Sequence, residues 1–334
     1  MTAMDAAHSH RASRQQRGAA VLMALFVATL ATLIVTGLFW SQFVLLRTIE
    51  NQQLVSQSRL LLRGALDWAR AILREDALRS NYDALTEPWA QPLAETRLDQ
   101  LGETSALASQ ATMAGGIEDA QARMNLRNLV QPDGKIAQRD LLALRRLAQL
   151  LGVPEQTADL IALRVQTSLA PLPAGDDRSA PIRATDPGAP PIALLLPQDL
   201  AGIAGIDPAA AAKLEPYIVI LDERTSINVN TAAAETIAAR ISDLSLADAR
   251  ALVADRERVG YFKDFGDLQN RLNRFGRGGS TESVTPQDIN TTSRYFFVRG
   301  QVKLDRANTR MEALVKRGPA QTSQPIVVLW QREL

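Results

Sequence analysis

The sequence has no cysteine, and its only two histidines, His8 and His10, lie at the extreme N-terminus. Without cysteine the chain cannot form a disulfide, a thiolate metal site or a cysteine nucleophile, although this absence does not fix the redox compartment. The remainder of the chain can build neither a histidine-based triad nor a histidine zinc site. Carboxylates, Lys, Tyr and Ser remain, and they form no recognisable nucleophile–base pair. We therefore predict that the protein is not an enzyme.

A charge excess of either sign is also lacking. The chain carries 37 Lys and Arg residues and 36 Asp and Glu residues, which gives a formal net charge of +1. Bulk electrostatics therefore indicate no polyanionic partner. The length of 334 residues is enough for two or three domains.

The sequence does contain one long apolar run. Residues 18–46 include no charged side chain, and the run is longer than the about 20 residues that cross a bilayer as a helix. A secretory signal has an apolar core of only about 7–15 residues. The preceding head carries Arg11, Arg14 and Arg17 against Asp5, and such a head stays cytoplasmic. We predict a single-pass protein of the bacterial inner membrane whose bulk is periplasmic.

A helical pattern continues beyond the membrane segment. No proline interrupts it, and apolar residues recur at helical spacing. The pattern predicts one helix of about 60 residues, about 90 Å long, from Ala19 to about Ala77. In the predicted domain organisation the long N-terminal helix occupies residues 19–80. Its transmembrane part is 19–46, and the remainder is amphipathic. The charged run Arg74–Asp76 is interpreted as part of a solvated face.

The opening resembles the class III leader of type IV pilins and type II secretion pseudopilins. In that family a basic leader ends in Gly, prepilin peptidase cleaves after it, and the new N-terminal residue is methylated. The resemblance implies a leader over residues 1–18, cleavage between Gly18 and Ala19, and N-methylation of Ala19. Met23 replaces the Glu that is usual at mature position five. That Glu is thought to pair with the N-terminus of a neighbouring subunit, so its loss fits a subunit with none ahead.

After the long helix, the sequence predicts a strand, then a series of helices, and then strands again. Alternating residues predict a half-buried strand over Ile117–Val130, and two helices are predicted within 136–170 with a break at Gly152–Pro154. The last 40 residues again read as strands. Strands at both ends can form one antiparallel sheet only if the helical part is an insertion. We predict an α+β fold in which 81–134 and 287–334 form a pilin-like domain and 135–286 form an all-α insertion.

This order, the segment "EPWA" and the strand pattern resemble the minor pseudopilin K family of the type II secretion system. The resemblance implies a tip or initiation subunit of the pseudopilus that supports export of folded proteins from the periplasm across the outer membrane. It implies a SAM-like or helix-hairpin-helix-like inserted domain. The implied partners are minor pseudopilins I and J, pseudopilus subunits, the inner-membrane secretion platform, prepilin peptidase and the membrane.

Residues 226–276 also resemble the helix-hairpin-helix unit of competence DNA receptors, and a membrane-anchored DNA-binding protein is the alternative function. A DNA-binding hairpin needs a Gly-rich turn that approaches phosphate, whereas this chain has "SDLS" at Ser242–Ser245, with Asp243 in the turn. Bases and acids balance in the module, so no excess cation serves phosphates. We expect no nucleic acid, and we interpret Asn228 and Asn230 as cap or turn residues.

Asp176 and Asp177 are the candidate metal ligands, because carboxylate oxygens suit calcium. The K family is known for calcium-binding acidic loops near this region. This chain lacks the Trp-Leu-Asp-x-Asp run that usually follows the second helix, so a solvated loop is the preferred interpretation. A third functional hypothesis is a generic anchored periplasmic scaffold, which predicts neither leader cleavage nor pseudopilin partners.

Overall fold

The computed structural model describes residues 9–101, 109–169, 191–275, 284–318 and 325–334. Its helices are α1 (Ser9–Arg79), α2 (Gln138–Leu150), α3 (Gln156–Ser168), α4 (Pro208–Leu214), α5 (Ala234–Arg240), α6 (Leu246–Val259) and α7 (Phe265–Phe275). Its strands are β1 (Leu93–Arg97), β2 (Ala111–Asp119), β3 (Met124–Asn125), β4 (Ile218–Val219), β5 (Ile227–Asn228), β6 (Ile289–Asn290), β7 (Tyr295–Leu304), β8 (Ala307–Lys316) and β9 (Val327–Glu333).

Helix α1 is unbroken over 71 residues, which corresponds to a length of about 107 Å. The predicted continuous helix is confirmed, although it extends further at both ends. It already begins at Ser9, because the head is rich in Arg and Gln, which are good helix formers. It ends at Arg79, after which Ser80 donates its backbone N–H to the carbonyl of Asp76 over 3.1 Å.

Five strands form one antiparallel sheet in the order β1–β2–β7–β8–β9. Strands β2 and β7 pair without a register shift, and Ile117 lies opposite Val298. One face of the sheet packs against α1. The buried residues at this contact include Leu62, Leu66, Ala69, Leu73, Trp89, Phe296, Val298, Met311 and Val315. Full burial of a large apolar side chain contributes about 1.5–3 kcal/mol, so this core fixes the long helix to the sheet.

The chain between β2 and β7 forms a helical block that contains α2–α7 and four short strands. One of its cores includes Leu144, Leu147, Ile161, Leu200 and Leu214, and the other includes Ile237, Leu252, Phe262, Leu268 and Leu272. The short strands pair in parallel, β3 with β4 and β5 with β6. A long N-terminal helix, an antiparallel sheet and a helical segment between its strands confirm the predicted α+β fold class.

The strand predicted over Ile117–Val130 is wrong beyond Asp119. Strand β2 ends there, and 3₁₀ turns surround the two-residue strand β3. The Asp119 carboxylate accepts the backbone N–H of Gln121 at 2.7 Å, and the Asn125 side chain accepts that of Arg127 at 3.0 Å. Such local side-chain bonds compete with strand pairing. The alternating pattern therefore describes a folded turn region and not a long strand.

The two helices predicted within 136–170 are confirmed as α2 and α3. They separate at the predicted break, where Gly152 has a φ of +65°. Glycine reaches this left-handed conformation at little steric cost. The Gly152 N–H bonds to the carbonyl of Gln149 at 3.1 Å. Pro154 follows and cannot donate a backbone hydrogen bond, so a new helix starts after it.

Candidate functional site along the long helix

The membrane half of α1 exposes apolar side chains on all sides. Among the described residues, one helix is long and apolar enough to span a membrane. The candidate span is Ala19–Arg79, and its most apolar window has a mean hydropathy of 2.4 with none of it buried. Apolar surface is unfavourable in water, so this segment fits a membrane anchor. Met23 is 70% exposed, and it brings no charge to this surface.

The structure places Gly18, Ala19 and Met23 inside α1. Cleavage after Gly18 and methylation of Ala19 stay predictions. Asp176 and Asp177, the candidate calcium ligands, lie outside the described residues. A calcium site at these two aspartates therefore also stays a prediction.

The second half of α1 has one covered and one uncovered face. Opposite the buried contact with the sheet, Leu60 is 68% exposed and Trp68 is 49% exposed. Gly64 lies one turn from each, and a Cβ built there would meet no atom within 4 Å. A glycine between two large apolar side chains leaves a notch into which another helix can pack closely. We call Leu60, Gly64 and Trp68 the free face of α1.

An apolar groove adjoins the free face. It has a volume of about 340 Å³ and lies between α1 and the region where β1 and β2 pair. Its lining includes Trp68, Ile72, Pro88, Pro92, Leu93 and Gly116. Because Trp68 borders both the groove and the free face, the two form one continuous apolar surface.

A cluster of buried charged residues lies at the end of α1, and we call it the carboxylate cluster. It consists of Asp76, Asp83, Glu87, Asp119 and Arg317. Arg317 donates through Nη1 to Asp76 Oδ2 at 3.0 Å and through Nη2 to both Asp83 oxygens at 2.6 and 2.7 Å. The solvated face predicted for the charged run is wrong for Asp76, which is 7% exposed, because the last turns of α1 pack against Arg317.

Glu87 organises the connection between α1 and the sheet. Its carboxylate accepts hydrogen bonds from the backbone N–H of Ala84 at 2.7 Å, Trp89 Nε1 at 3.0 Å and Ser80 Oγ at 2.7 Å. The Trp89 ring in turn lies edge-on against Phe296, with 5.2 Å between ring centroids. The segment "EPWA" therefore anchors the loop after α1 into the core beneath the sheet.

Asp119 connects the sheet to the helical block. Its Oδ2 accepts hydrogen bonds from Ser293 Oγ at 2.6 Å, Thr231 Oγ1 at 2.5 Å and Asn228 Nδ2 at 2.8 Å. Asn228 Nδ2 also lies 3.0 Å from the carbonyl oxygen of Asp83. Parts of the chain that are far apart in sequence thus meet at one buried polar junction.

Asn228 and Asn230 have a larger role than the predicted one. Asn228 Oδ1 accepts the backbone N–H of Asn230 at 2.9 Å, which is a turn contact as predicted. Asn230 also exchanges two hydrogen bonds with the backbone of Phe262, at 2.9 and 2.8 Å. Both side chains are buried. The sequence offers no local signal for these long-range contacts beyond two asparagines between apolar residues.

Burial dominates the electrostatics of the carboxylate cluster. Desolvation, with Glu87 nearby, raises the pKa of Asp76 to about 6, and desolvation raises the pKa of Asp83 to about 7, against the opposing effect of Arg317. Burial also raises the pKa of Asp119, although the hydroxyls of Ser293 and Thr231 oppose the shift. These three carboxyl groups therefore bind a proton more readily than exposed carboxyl groups do.

Three carboxylates of the cluster have a spacing that a cation could use. Oxygens of Asp76, Asp83 and Glu87 lie within 4.8 Å of one another. The guanidinium of Arg317 already bonds to two of them and supplies the positive charge that a metal ion would bring. We therefore interpret the cluster as an ion-pair junction.

The helix-hairpin-helix-like module turns five of its arginines inward or pairs them with acids. Arg256 donates to the carbonyls of Val229 and Ala232, and Arg271 donates to those of Gly260 and Tyr261. The other ion pairs in this region include Arg240 with Asp140 and Asp288, Arg250 with Glu235, and Arg258 with Asp255. Phosphate binding needs uncompensated cations, so these contacts favour a structural module over a DNA-binding one.

Comparisons with known proteins agree with this geometry. Two family models, each described as type II secretion system (T2SS), protein K, match residues 122–223 and 227–285. A type II secretion system protein K from Pseudomonas aeruginosa strain PAO1 is 27% identical over 322 residues, which cover 91% of this chain and 90% of that protein.

A solved structure shares the fold. It is a chain in the crystal structure of the GspK-GspI-GspJ complex from the enterotoxigenic Escherichia coli type 2 secretion system. The match has a TM-score of 0.64 at 24% identity and covers 85% of the chain described here and 98% of the other. Over the matched residues this chain therefore has a fold similar to that of the solved chain.

Proposed function

This chain belongs to the protein K family of the type II secretion system, and we propose on that premise that it is the minor pseudopilin that forms the tip of the pseudopilus. In this role it starts assembly and supports export of folded proteins from the periplasm across the outer membrane. The role is structural, and it uses the long helix, its free face and the helical block.

The main support for the proposal is the continuity of α1. A single helix, α1, links an exposed, uncharged membrane segment to the sheet. Met23 needs no charged partner from a subunit ahead, because it has no carboxylate to neutralise. The helical block is joined to the sheet near the end of α1, through the bond between Asn228 and Asp119, and in this proposal it obstructs a subunit stacked above it. A subunit that needs no charged partner at Met23 and leaves no room for another subunit above its helical block fits the terminal position of the pseudopilus.

The partners that we propose are minor pseudopilins of the I and J type. The related solved chain occurs in a complex with GspI and GspJ. In this chain the free face offers a partner helix two large apolar side chains, Leu60 and Trp68, with Gly64 between them. A partner anchored in the same membrane would run beside α1 and reach this face without changing direction.

We further propose an inner-membrane location with a cytoplasmic N-terminus and a periplasmic bulk. The basic head supports this orientation through the positive-inside rule. Prepilin peptidase would cleave between Gly18 and Ala19, and Ala19 would then be methylated. The mature helix would remain in the membrane until the secretion platform brings it into the pseudopilus.

The N-terminal residue and the intact mass of the membrane-extracted chain test the class of protein. We expect a chain that starts at N-methyl-Ala19 only in cells that contain prepilin peptidase. A chain that starts near Met1 with and without the peptidase would contradict the proposal. Co-purification of I-type and J-type pseudopilins with the processed chain then tests the tip assembly. A processed chain that binds neither partner would exclude the proposed tip complex and leave the pseudopilin class intact.

A further inference from the structure

We propose that the carboxylate cluster is a proton-binding site whose protonation controls how firmly α1 and the helical block are joined to the sheet. The inference rests on the contacts of Asp76, Asp83, Glu87, Asp119 and Arg317, and it does not depend on the proposed role in secretion. The ligand is the proton, and the affected part of the molecule is the junction at which three parts of the fold meet.

The first argument is the balance of buried charge. Asp76, Asp83, Glu87 and Asp119 are all less than 9% exposed, and the side chain of Arg317 is 11% exposed. The guanidinium bonds to Asp76 and Asp83, so one cation serves two carboxyl groups, whereas Glu87 and Asp119 accept hydrogen bonds from neutral donors. Unpaired buried charge is costly in a protein interior. If Asp76 and Asp83 were both ionised, one of the two negative charges would lack a cation, so uptake of a proton by this pair stabilises the folded junction.

The second argument is the geometry of the acceptors. Oxygens of Asp76 and Asp83 lie within 4.8 Å of each other, and two carboxyl groups this close resist being ionised together, so a proton on one of them is favoured. Asp83 also accepts the backbone N–H of Ser293 at 2.7 Å. Arg317 and Ser293 fix the two carboxyl groups side by side, so a proton on one of them relieves their repulsion where α1 meets the loop that follows it.

The remaining groups around the cluster do not neutralise it. Arg294, just before β7, pairs with Glu223 at 2.8 Å. From the helical block, Asn228 and Thr231 contribute neutral donors. The Tyr82 ring stacks on Tyr261 at 4.0 Å between centroids, and the contact with Tyr261 together with burial raises the pKa of Tyr82 to about 12. Tyr82 therefore stays neutral at physiological pH.

Because histidine is nearly absent, few other side chains titrate in the same pH range as this proton site. His8 and His10 are the only histidines, and cysteine is absent. Both histidines also precede Ala19, so a chain that starts there would lack them. Ordinary carboxyl groups titrate near pH 4. Among the residues that the structure describes, Asp76 and Asp83 are therefore the carboxyl groups expected to titrate between about pH 5 and 8.

The direction of the effect follows from linkage. The pKa of Asp76 is raised to about 6 and that of Asp83 to about 7, above the ordinary value of about 3.9 for an unfolded Asp. The folded state thus binds more protons than the unfolded state between about pH 4 and pH 7. Stability from these groups is fully present below about pH 4 and is lost as the pH rises through 6 and 7.

The test is the pH dependence of unfolding of the full-length protein in detergent micelles. We expect the equilibrium constant for unfolding to rise by up to about tenfold per pH unit for each proton released between pH 5 and 7. In Asp76→Asn the amide retains the size of the carboxyl group and removes one charge, so the rise should be smaller. Asp67→Asn, on the exposed side of the same helix, is the matched control and should keep the wild-type dependence.

Hydrogen exchange of the wild-type protein is a second test, and it does not require the Asp76→Asn variant to fold. In the wild-type protein, exchange of peptides that contain Ala84 and Ser293, corrected for the intrinsic effect of pH, should accelerate between pH 5.5 and 7.5. Peptides from the middle of α2 should change less. A wild-type protein whose unfolding and junction exchange are both independent of pH in this range would overturn the proposal. Equal pH dependence in the wild type and a folded Asp76→Asn variant would overturn it as well.

Discussion

Asn228 Nδ2 lies 2.8 Å from Asp119 Oδ2, and the two residues are 109 positions apart in the sequence. This hydrogen bond joins the end of β2 to the start of the helix-hairpin-helix-like module. Both side chains are buried, with Asn228 fully inaccessible. The helical block is therefore attached to the sheet by buried, directional contacts in addition to the chain connections.

The replacement Asn228→Ala tests this attachment. The variant loses donors to the Asp83 carbonyl, Asp119 and Ser293 and leaves buried acceptors without that partner. We expect the free energy of unfolding to fall by about 2–4 kcal/mol, measured by urea unfolding of the full chain. The exposed Asn81→Ala should change it by less than about 0.5 kcal/mol. Equal effects of the two substitutions would show that the junction contributes no special stability.

The replacement Arg317→Met tests the charge balance of the carboxylate cluster. It removes the guanidinium that binds Asp76 and Asp83 and leaves the carboxyl groups without a cation. We expect a loss of about 3–5 kcal/mol near neutral pH. The loss should be smaller at pH 5, because the protonated carboxyl groups need no cation. Unfolding at the two pH values measures the difference, and the exposed Arg310→Met serves as the control. A loss that is the same at both pH values would contradict the ionic role of Arg317.

Substitution of Gly64 tests the free face of α1. Leu and Ala are better helix formers than Gly by up to about 1 kcal/mol, and a Cβ at this position meets no atom of the chain. Both Gly64→Ala and Gly64→Leu should therefore leave the isolated protein folded. Only the bulky Leu should fill the notch and reduce co-purification with I-type or J-type pseudopilins. If Gly64→Leu binds them as well as the wild type, the partner helix lies elsewhere.

The replacement Met23→Glu tests the meaning of the missing charge. A carboxyl group placed in the membrane half of α1 costs up to about 2.5–3.5 kcal/mol at the bilayer centre, and less toward its edge. In a terminal subunit no neighbour would supply the compensating N-terminus. We expect processing after Gly18 to persist and secretion of the exported proteins to fall. Met23→Leu should leave both unchanged. Normal secretion with Met23→Glu would show that a charge at this position is tolerated.

The long helix, the helix pair α2–α3 and the final strands could be predicted because each depends on the local spacing of apolar residues. The insertion could also be predicted, since strands at both ends of the chain need each other to form a sheet. The carboxylate cluster could not. Asp76 looks like a solvated residue within its own helix, and it becomes buried only because Arg317, from the far end of the chain, packs against it. The end of β2 at Asp119 was missed for a related reason, since a single side-chain bond to Gln121 turns the chain.

The continuity of α1 has a mechanical consequence. No proline interrupts its 71 residues, and kinks in helices are almost always found at proline, at particular small-residue pairs or at local insertions. Because no proline kink separates the two halves of the helix, we expect it to be stiff, so that its membrane end and its sheet end move together. A displacement of the apolar half of α1 would therefore be transmitted to the sheet and the helical block at its other end.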